Sequence, residues 1–205
     1  MLLHTLYLVG IVAEAMTAAL AAGRRSMDWV GVALLGCVTA LGGGSARDVL
    51  LGNYPLAWVK HPEYLAFTAG AALLTILIAR VMHHLRWAFL VLDAVGLVAF
   101  TIIGCDVGLR MGVPVPIAIV AGMITGCVGG VLRDVLCNDV PLLFRAELYA
   151  SVSVLTGALY LGGLHLGLAH DLVMAIAMTF GMTLRILAIW RKWNMPKFIY
   201  ERDLH

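Results

Sequence analysis

From residue 4 to residue 192 the sequence is a succession of seven apolar segments, at 4–22, 28–51, 63–83, 87–107, 114–137, 147–168 and 170–192. About 20 residues of helix cross the hydrocarbon of a bilayer, and each segment is near that length. The chain is 62% hydrophobic and only 13% charged over its 205 residues, with a mean hydropathy of +0.96. A soluble domain carries about 25% charged residues, so most of this chain cannot face water. A membrane barrel would instead show alternating strands about ten residues long, and none are present. The pattern predicts an all-α integral membrane protein with seven transmembrane helices forming one membrane domain over 1–205. The first segment contains Glu14 and has no Lys or Arg before it, so a retained helix is expected rather than a cleaved signal peptide.

The polar residues are placed with more order than the apolar ones. Gly36 to Leu56 reads GCVTALGGGSARDVLLGNYPL, and Gly122 to Leu142 reads GMITGCVGGVLRDVLCNDVPL. At a constant offset of 86 residues, ten of these 21 positions are identical. They include Thr39/Thr125, Gly43/Gly129, Gly44/Gly130, Arg47/Arg133, Asp48/Asp134 and Pro55/Pro141. Chance similarity between apolar segments would match Leu, Val and Ala, not Arg, Asp, Pro and a glycine pair in one register. The chain therefore reads as two three-helix units, 4–83 and 87–168, followed by a seventh helix at 170–192 and a tail at 193–205. Three is odd, so the second unit enters the membrane from the opposite side, giving an inverted repeat of the kind many transporters use.

Charge gives the orientation. Arg24, Arg25, Arg80, Arg86, Arg145, Arg191, Lys192, Lys197 and Arg202 fall on one side, and Lys60 and Arg110 on the other. Nine against two predicts an outside N-terminus and a cytoplasmic C-terminus in a multi-pass cell (inner) membrane protein. The net charge of +2 gives no basis for a nucleic-acid partner; the basic tail reads as an anchor at membrane lipid.

Gly42, Gly43 and Gly44 point in different directions around a helix, so a packing stripe does not explain all three. With charges nearby, the contiguous glycines favour a break in spans two and five that exposes backbone to a polar path. Residues i and i+1 do not face each other on a helix, so Arg47 is not expected simply to neutralise Asp48. Two readings stand for the doubled Arg-Asp pair: an interfacial anchor with a structural ion pair, or a charged vestibule on a water-filled path. In the second, the arginines brace the site and Asp48 and Asp134 serve as acceptors at a cation entrance. Deeper in the bundle, Asp93 corresponds at the repeat offset to Tyr7, and Glu14 to Phe100. Buried charge requires compensation, and Asp93 lies near the same membrane face as Arg133, making Asp93 and Glu14 candidate intramembrane charge partners. Mid-span hydroxyls are few: Thr39, Thr101, Thr125, Ser153, Thr156, Thr179 and Thr183. Such threonines usually satisfy their own helix backbone; Thr39 and Thr125, paired by the repeat, are the expected exceptions. The sparse set suits ions or a very small zwitterion.

The doubled Gly-Gly-(x)2-Arg-Asp-Val-Leu-(x)4-Pro motif and the stretch Leu92-Asp-Ala-Val-Gly-Leu-Val-Ala-Phe100 resemble the prokaryotic trimeric intracellular cation channel family. The same sequence family has also been labelled as small amino-acid, especially glycine, transporters. The resemblance implies a homotrimer, an ion pathway within each protomer lined by spans two and five, and passive conduction of monovalent cations, potassium first. It implies hinges at Gly42, Gly43, Gly44, Gly129 and Gly130 and motif charges at Arg47, Asp48, Arg133 and Asp134. Val128 stands where the pattern leads one to expect Gly, and Tyr7 and Glu14 stand where Asp and Phe are usual. The alternative function is secondary transport of a small amino acid such as glycine. No enzyme activity is expected, since no HExxH or GxSxG occurs and the histidines lie at span ends or in the tails. No cofactor or metal is expected, and the four cysteines read as small apolar side chains.

Overall fold

The computed structural model describes residues 2–79, 85–145 and 148–193. Among these every regular element is a helix: α1 (Leu2–Gly23), α2 (Trp29–Leu51), α3 (Ala57–Lys60), α4 (Glu63–Ala79), α5 (Leu85–Arg110), α6 (Val115–Leu136), α7 (Leu142–Arg145), α8 (Tyr149–His165) and α9 (His170–Arg191). Five of them, α1, α2, α5, α6 and α9, are long and apolar enough to cross a membrane. The helices α4 and α8 have 17 residues each. Most of the predicted tail, with Lys197 and Arg202, lies outside the described residues, as does Arg80.

The outer faces are apolar. Trp29, Leu34, Leu50, Leu74, Phe144 and Trp190 are all at least 59% exposed, which suits lipid and not water. The interior inverts the soluble pattern. Alongside small and branched apolar residues it holds Glu14, Arg47, Asp48, Asp93, Arg133, Asp134 and Arg185, each at most 5% exposed. One apolar cluster gathers around α1, α2 and α4, and a second around α5, α6, α8 and α9.

The offset of 86 residues recurs in the backbone. α2 and α6 begin at 29 and 115, and α4 and α8 run 63–79 and 149–165. After α2, Gly52 takes a positive φ of 71°, and after α6, Asn138 takes one of 54°. Asn53 N then donates to Asp48 O, and Asp139 N to Asp134 O, both at 2.8 Å. The left-handed residue ends each helix and turns the chain back on the last carbonyls. The prolines Pro55 and Pro141 follow, and each leads into a single-turn helix, α3 or α7, that the apolar pattern did not announce.

The expected break in spans two and five is absent. α2 runs as one helix through Gly42–Gly44, and α6 through Gly129–Gly130. The glycines serve a crossing instead. A methyl group on Gly43 would collide with the carbonyl oxygen of Thr125, and one on Gly129 with the carbonyl oxygen of Thr39. These reciprocal contacts pair 39 with 129 and 43 with 125, so α2 and α6 cross antiparallel with backbones in direct contact, as small residues permit.

Candidate functional site

The antiparallel crossing sets the positions of the charges. Arg47 and Arg133 each lie four residues beyond a crossing glycine, toward opposite ends. In the crossing register Arg47 stands opposite 121, twelve residues from Arg133. At 1.5 Å per residue, the two guanidinium-bearing positions are separated by roughly 18 Å along the bundle.

Each arginine grips the aspartate that follows it. Arg47 Nε and Nη2 donate to Asp48 Oδ1 at 2.9 and 2.7 Å, and Arg133 Nε donates to Asp134 Oδ1 at 2.8 Å. The i, i+1 geometry was expected to keep them apart. The long arginine stem folds back along the helix and brings the guanidinium to the neighbouring carboxylate. The aspartates also hold the loops: Asn53 Nδ2 donates to Asp48 Oδ1, and Leu142 N to Asp134 Oδ2, both at 2.8 Å. Asp48 through one oxygen and Asp134 through both are thus engaged by an arginine and a loop donor. The contacts arise because an Asp in the last turn of a helix lies within reach of the donors that follow it.

The two ends differ in what surrounds the arginine. Arg133 is completely buried. Its Nη1 donates to Asp93 Oδ1 at 2.9 Å and to Thr17 Oγ1 at 2.9 Å, and lies 3.9 Å from Glu14 Oε2. Three carboxylates therefore converge on one guanidinium. The Phe89 ring covers it at 4.6 Å, with Arg24 packed on the same ring at 4.9 Å. Glu14 lies over Gly96, where any side chain would displace its carboxyl group. Arg25 closes the surface above by an ion pair with Asp139 at 2.6 Å. Several buried atoms here carry no hydrogen bond: Glu14 Oε1, Asp93 Oδ2, Arg133 Nη2 and Tyr149 OH. Around Arg47 the corresponding positions are Tyr7 and Phe100, so among the described residues no second acid pairs with the guanidinium. Arg47 instead lines a cavity of about 540 Å³ that also contacts Tyr7, Asp48, Lys60 and Arg110. A further void of about 20 Å³ leads inward beside Gly44, Arg47, Phe100 and Thr125, large enough for one water.

The glycines and threonines of the motif divide their work. Gly43 and Gly129 form the crossing. Gly42 abuts Leu132, while Gly44 and Gly130 sit beside Arg47 and Arg133, respectively. Thr125 Oγ1 donates to Ala121 O at 2.6 Å, so it is not the exception expected of it; in a tight helix pair the i−4 carbonyl is the nearest acceptor. Thr39 Oγ1, 1% exposed, has no partner. Thr101, Thr179 and Thr183 also return to their own helices.

The model of the family described as glycine transporter matches residues 4–80 and 90–165. The UPF0126 inner membrane protein YadS of Escherichia coli is 34% identical over 205 residues, 99% of each chain. A UPF0126 membrane protein of Vibrio cholerae is 36% identical over 198 residues, 96% of this chain and 83% of that one. The crystal structure of a trimeric intracellular cation channel orthologue from Rhodobacter sphaeroides superposes with a TM-score of 0.89 at 33% identity, covering 93% of this chain and 98% of that one. The chain belongs to the prokaryotic trimeric intracellular cation channel family. Both labels carried by the sequence resemblance, channel and glycine transporter, are thus attached to this family.

Two features of this family member were not read from the sequence. Asp106, 5% exposed, accepts from Tyr160 OH at 3.0 Å, lies 3.1 Å from His170 Nε2 and pairs with Arg110 at 2.9 Å. Only the i, i+4 spacing of Asp106 and Arg110 signals it in advance. Arg185 is completely buried with its guanidinium 4.7 Å over the Tyr149 ring; its place in the seventh apolar segment does not disclose which ring it meets.

Proposed function

We propose that this protein is a passive monovalent-cation channel, with potassium as its principal ion, working as a homotrimer with one pathway in each protomer. The carrying observation is the seam of buried polar groups that follows the α2–α6 crossing. In this reading the path runs from the cavity at Arg47, past the small void at Gly44 and Thr125, to Arg133 with Asp93 and Glu14. Intramembrane ionisable groups facing a shared polar path are the hallmark of ion pathways. The units 4–83 and 87–168 act as an inverted repeat, and the seventh helix at 170–192 packs beside the second. The basic residues orient the N-terminus outside and the C-terminus in the cytoplasm of the cell membrane. In this orientation the 540 Å³ cavity opens outward and the Arg133 network closes the cytoplasmic end.

Gly44 and Gly130 leave space beside the two arginines, so that water or an ion can pass next to a guanidinium rather than a methyl group. Gly43 and Gly129 fix the helices that carry them. The close structural likeness to channels at 30–33% identity supports conduction over glycine transport. So does the size of the inner void, about 20 Å³, which admits a water and not an amino acid. Potassium efflux from proteoliposomes loaded with KCl, measured against glycine counterflow in the same vesicles, tests the reading. Potassium efflux without glycine exchange is expected; saturable glycine exchange without potassium flux would replace the channel by a transporter.

A further inference from the structure

The two ends of the α2–α6 crossing are built from corresponding residues, yet the Arg47 end is open and the Arg133 end is covered. At the repeat offset of 86, Leu3, Asn53, Arg110 and Met111 correspond to Phe89, Asp139, Arg24 and Arg25. The first four all line the cavity of about 540 Å³ at Arg47. At the Arg133 end their counterparts close on one another. Phe89, 7% exposed, lies against Arg133 at 4.6 Å and against Arg24 at 4.9 Å. Arg25 Nη2 reaches from the turn after α1 to the turn after α6, donating to Asp139 Oδ1 at 2.6 Å and to Asn138 O at 3.3 Å. Met111 and Asn53 carry no charge, so this ion pair has no counterpart at the open end.

The covering turn is tied at both feet to the charged network. Arg25 N donates to Ala22 O at 2.9 Å, at the end of the helix that carries Glu14 and Thr17. Asp28 opens α2 three residues later by accepting from Gly31 N at 2.7 Å. On the far side Asp139 N donates to Asp134 O at 2.8 Å, and the Asp134 carboxylate holds Arg133 Nε at 2.8 Å. The fastening itself is weak. The Arg25 and Asp139 side chains are 41% and 33% exposed, and exposed ion pairs contribute little and are screened by salt. A contact of this strength opens and recloses readily, unlike the buried pair of Arg133 and Asp93.

We propose that the turn between α1 and α2 is a latch. The Arg25–Asp139 pair holds it over the Arg133 end, and its release uncovers a second cavity, the repeat counterpart of the one at Arg47. Its effect on conduction rests on the channel reading above; the uncovering does not.

Cys137 is a native reporter: it is 3% exposed, directly precedes Asn138 and belongs to the same apolar cluster as Phe89. The purified protein in detergent is treated with a water-soluble maleimide, and each cysteine is followed separately by peptide mass spectrometry. Cys105, completely buried, reports general loosening. Arg25→Asp should speed modification of Cys137 about threefold or more and leave Cys105 unchanged. The reversed pair Arg25→Asp/Asp139→Arg should restore the wild-type rate. Potassium efflux from proteoliposomes should rise in the single variant and fall back in the reversed pair. Unchanged modification of Cys137 in Arg25→Asp, equal acceleration at Cys105, or no restoration by the reversed pair would overturn the latch. The expected cysteine pattern with no potassium efflux from any of the three proteins would support the latch and overturn the channel reading instead.

Discussion

Replacing Gly43 by alanine should force α2 and α6 apart. The added methyl group would overlap the Thr125 carbonyl oxygen, come within 3.1 Å of the Thr125 carbonyl carbon and 3.3 Å of Gly129 N. These are backbone atoms and cannot rotate out of the way, so the helices themselves must move. Overpacking of a close-packed interior costs about 1–3 kcal/mol, and Gly43→Ala belongs in that range. Gly129→Ala meets the Thr39 carbonyl oxygen and belongs there too. The two positions share one crossing, so helices already spread by the first methyl group have room for the second. The double variant should cost less than the sum, with a coupling of about 0.5 kcal/mol or more. Gly44→Ala is the internal control: its methyl group would stand 3.8 Å from Arg47 Nη2, an ordinary contact, and alanine gains roughly 0.5–1 kcal/mol over glycine in a helix interior. Denaturant unfolding of the purified protein in detergent, followed by circular dichroism, measures all four variants. If Gly43→Ala proves as benign as Gly44→Ala, or the double variant is strictly additive, the backbone crossing is not the reason for these glycines.

Three other outcomes follow from the charged groups. Asp134→Ala removes the acceptor of Leu142 N and a partner of Arg133, so it should lower unfolding stability by about 1–3 kcal/mol, with Asp48→Ala similar through Asn53; midpoints unchanged within error would show that the loops hold without them. Asp93→Asn weakens a charge-assisted bond worth about 1.5–3 kcal/mol in the Arg133 network; if that network seals its end of the proposed path, the change should raise potassium flux in proteoliposomes about tenfold, and unchanged flux would mean the network is not a seal. A reporter fused after residue 205 should be active only in the cytoplasm, and activity only outside would reverse the two ends of the seam.

The membrane-embedded character and the doubled motif were legible because they depend on local pattern: segment length, hydropathy, and two copies in one register. Depth along the segments also brought Asp93 and Arg133 to one face, where they lie 2.9 Å apart. What was not legible depends on how one helix meets another. The glycine run could be read as a break or a crossing, and only the carbonyls of Thr39 and Thr125 decide it. The Arg-Asp neighbours were judged by helix angle alone, whereas an arginine stem is long enough to fold back on its own helix end. Asp48 and Asp134 looked like free acceptors until the returning loops brought Asn53 and the Leu142 amide to them. Asp106 drew no attention because its partners, Tyr160 and His170, come from two later helices.

Single-channel recording from the purified protein in a planar bilayer bathed in symmetric KCl tests the central claim most directly. The account predicts unitary cation-selective currents, and predicts that Gly130→Leu, which fills the space between Arg133 and Tyr149, abolishes them while the assembled oligomer persists. Unitary currents of wild-type size in a well-assembled Gly130→Leu variant would place the pathway elsewhere. A wild-type protein that carries no current under any voltage, yet exchanges glycine across vesicles, would contradict the channel itself.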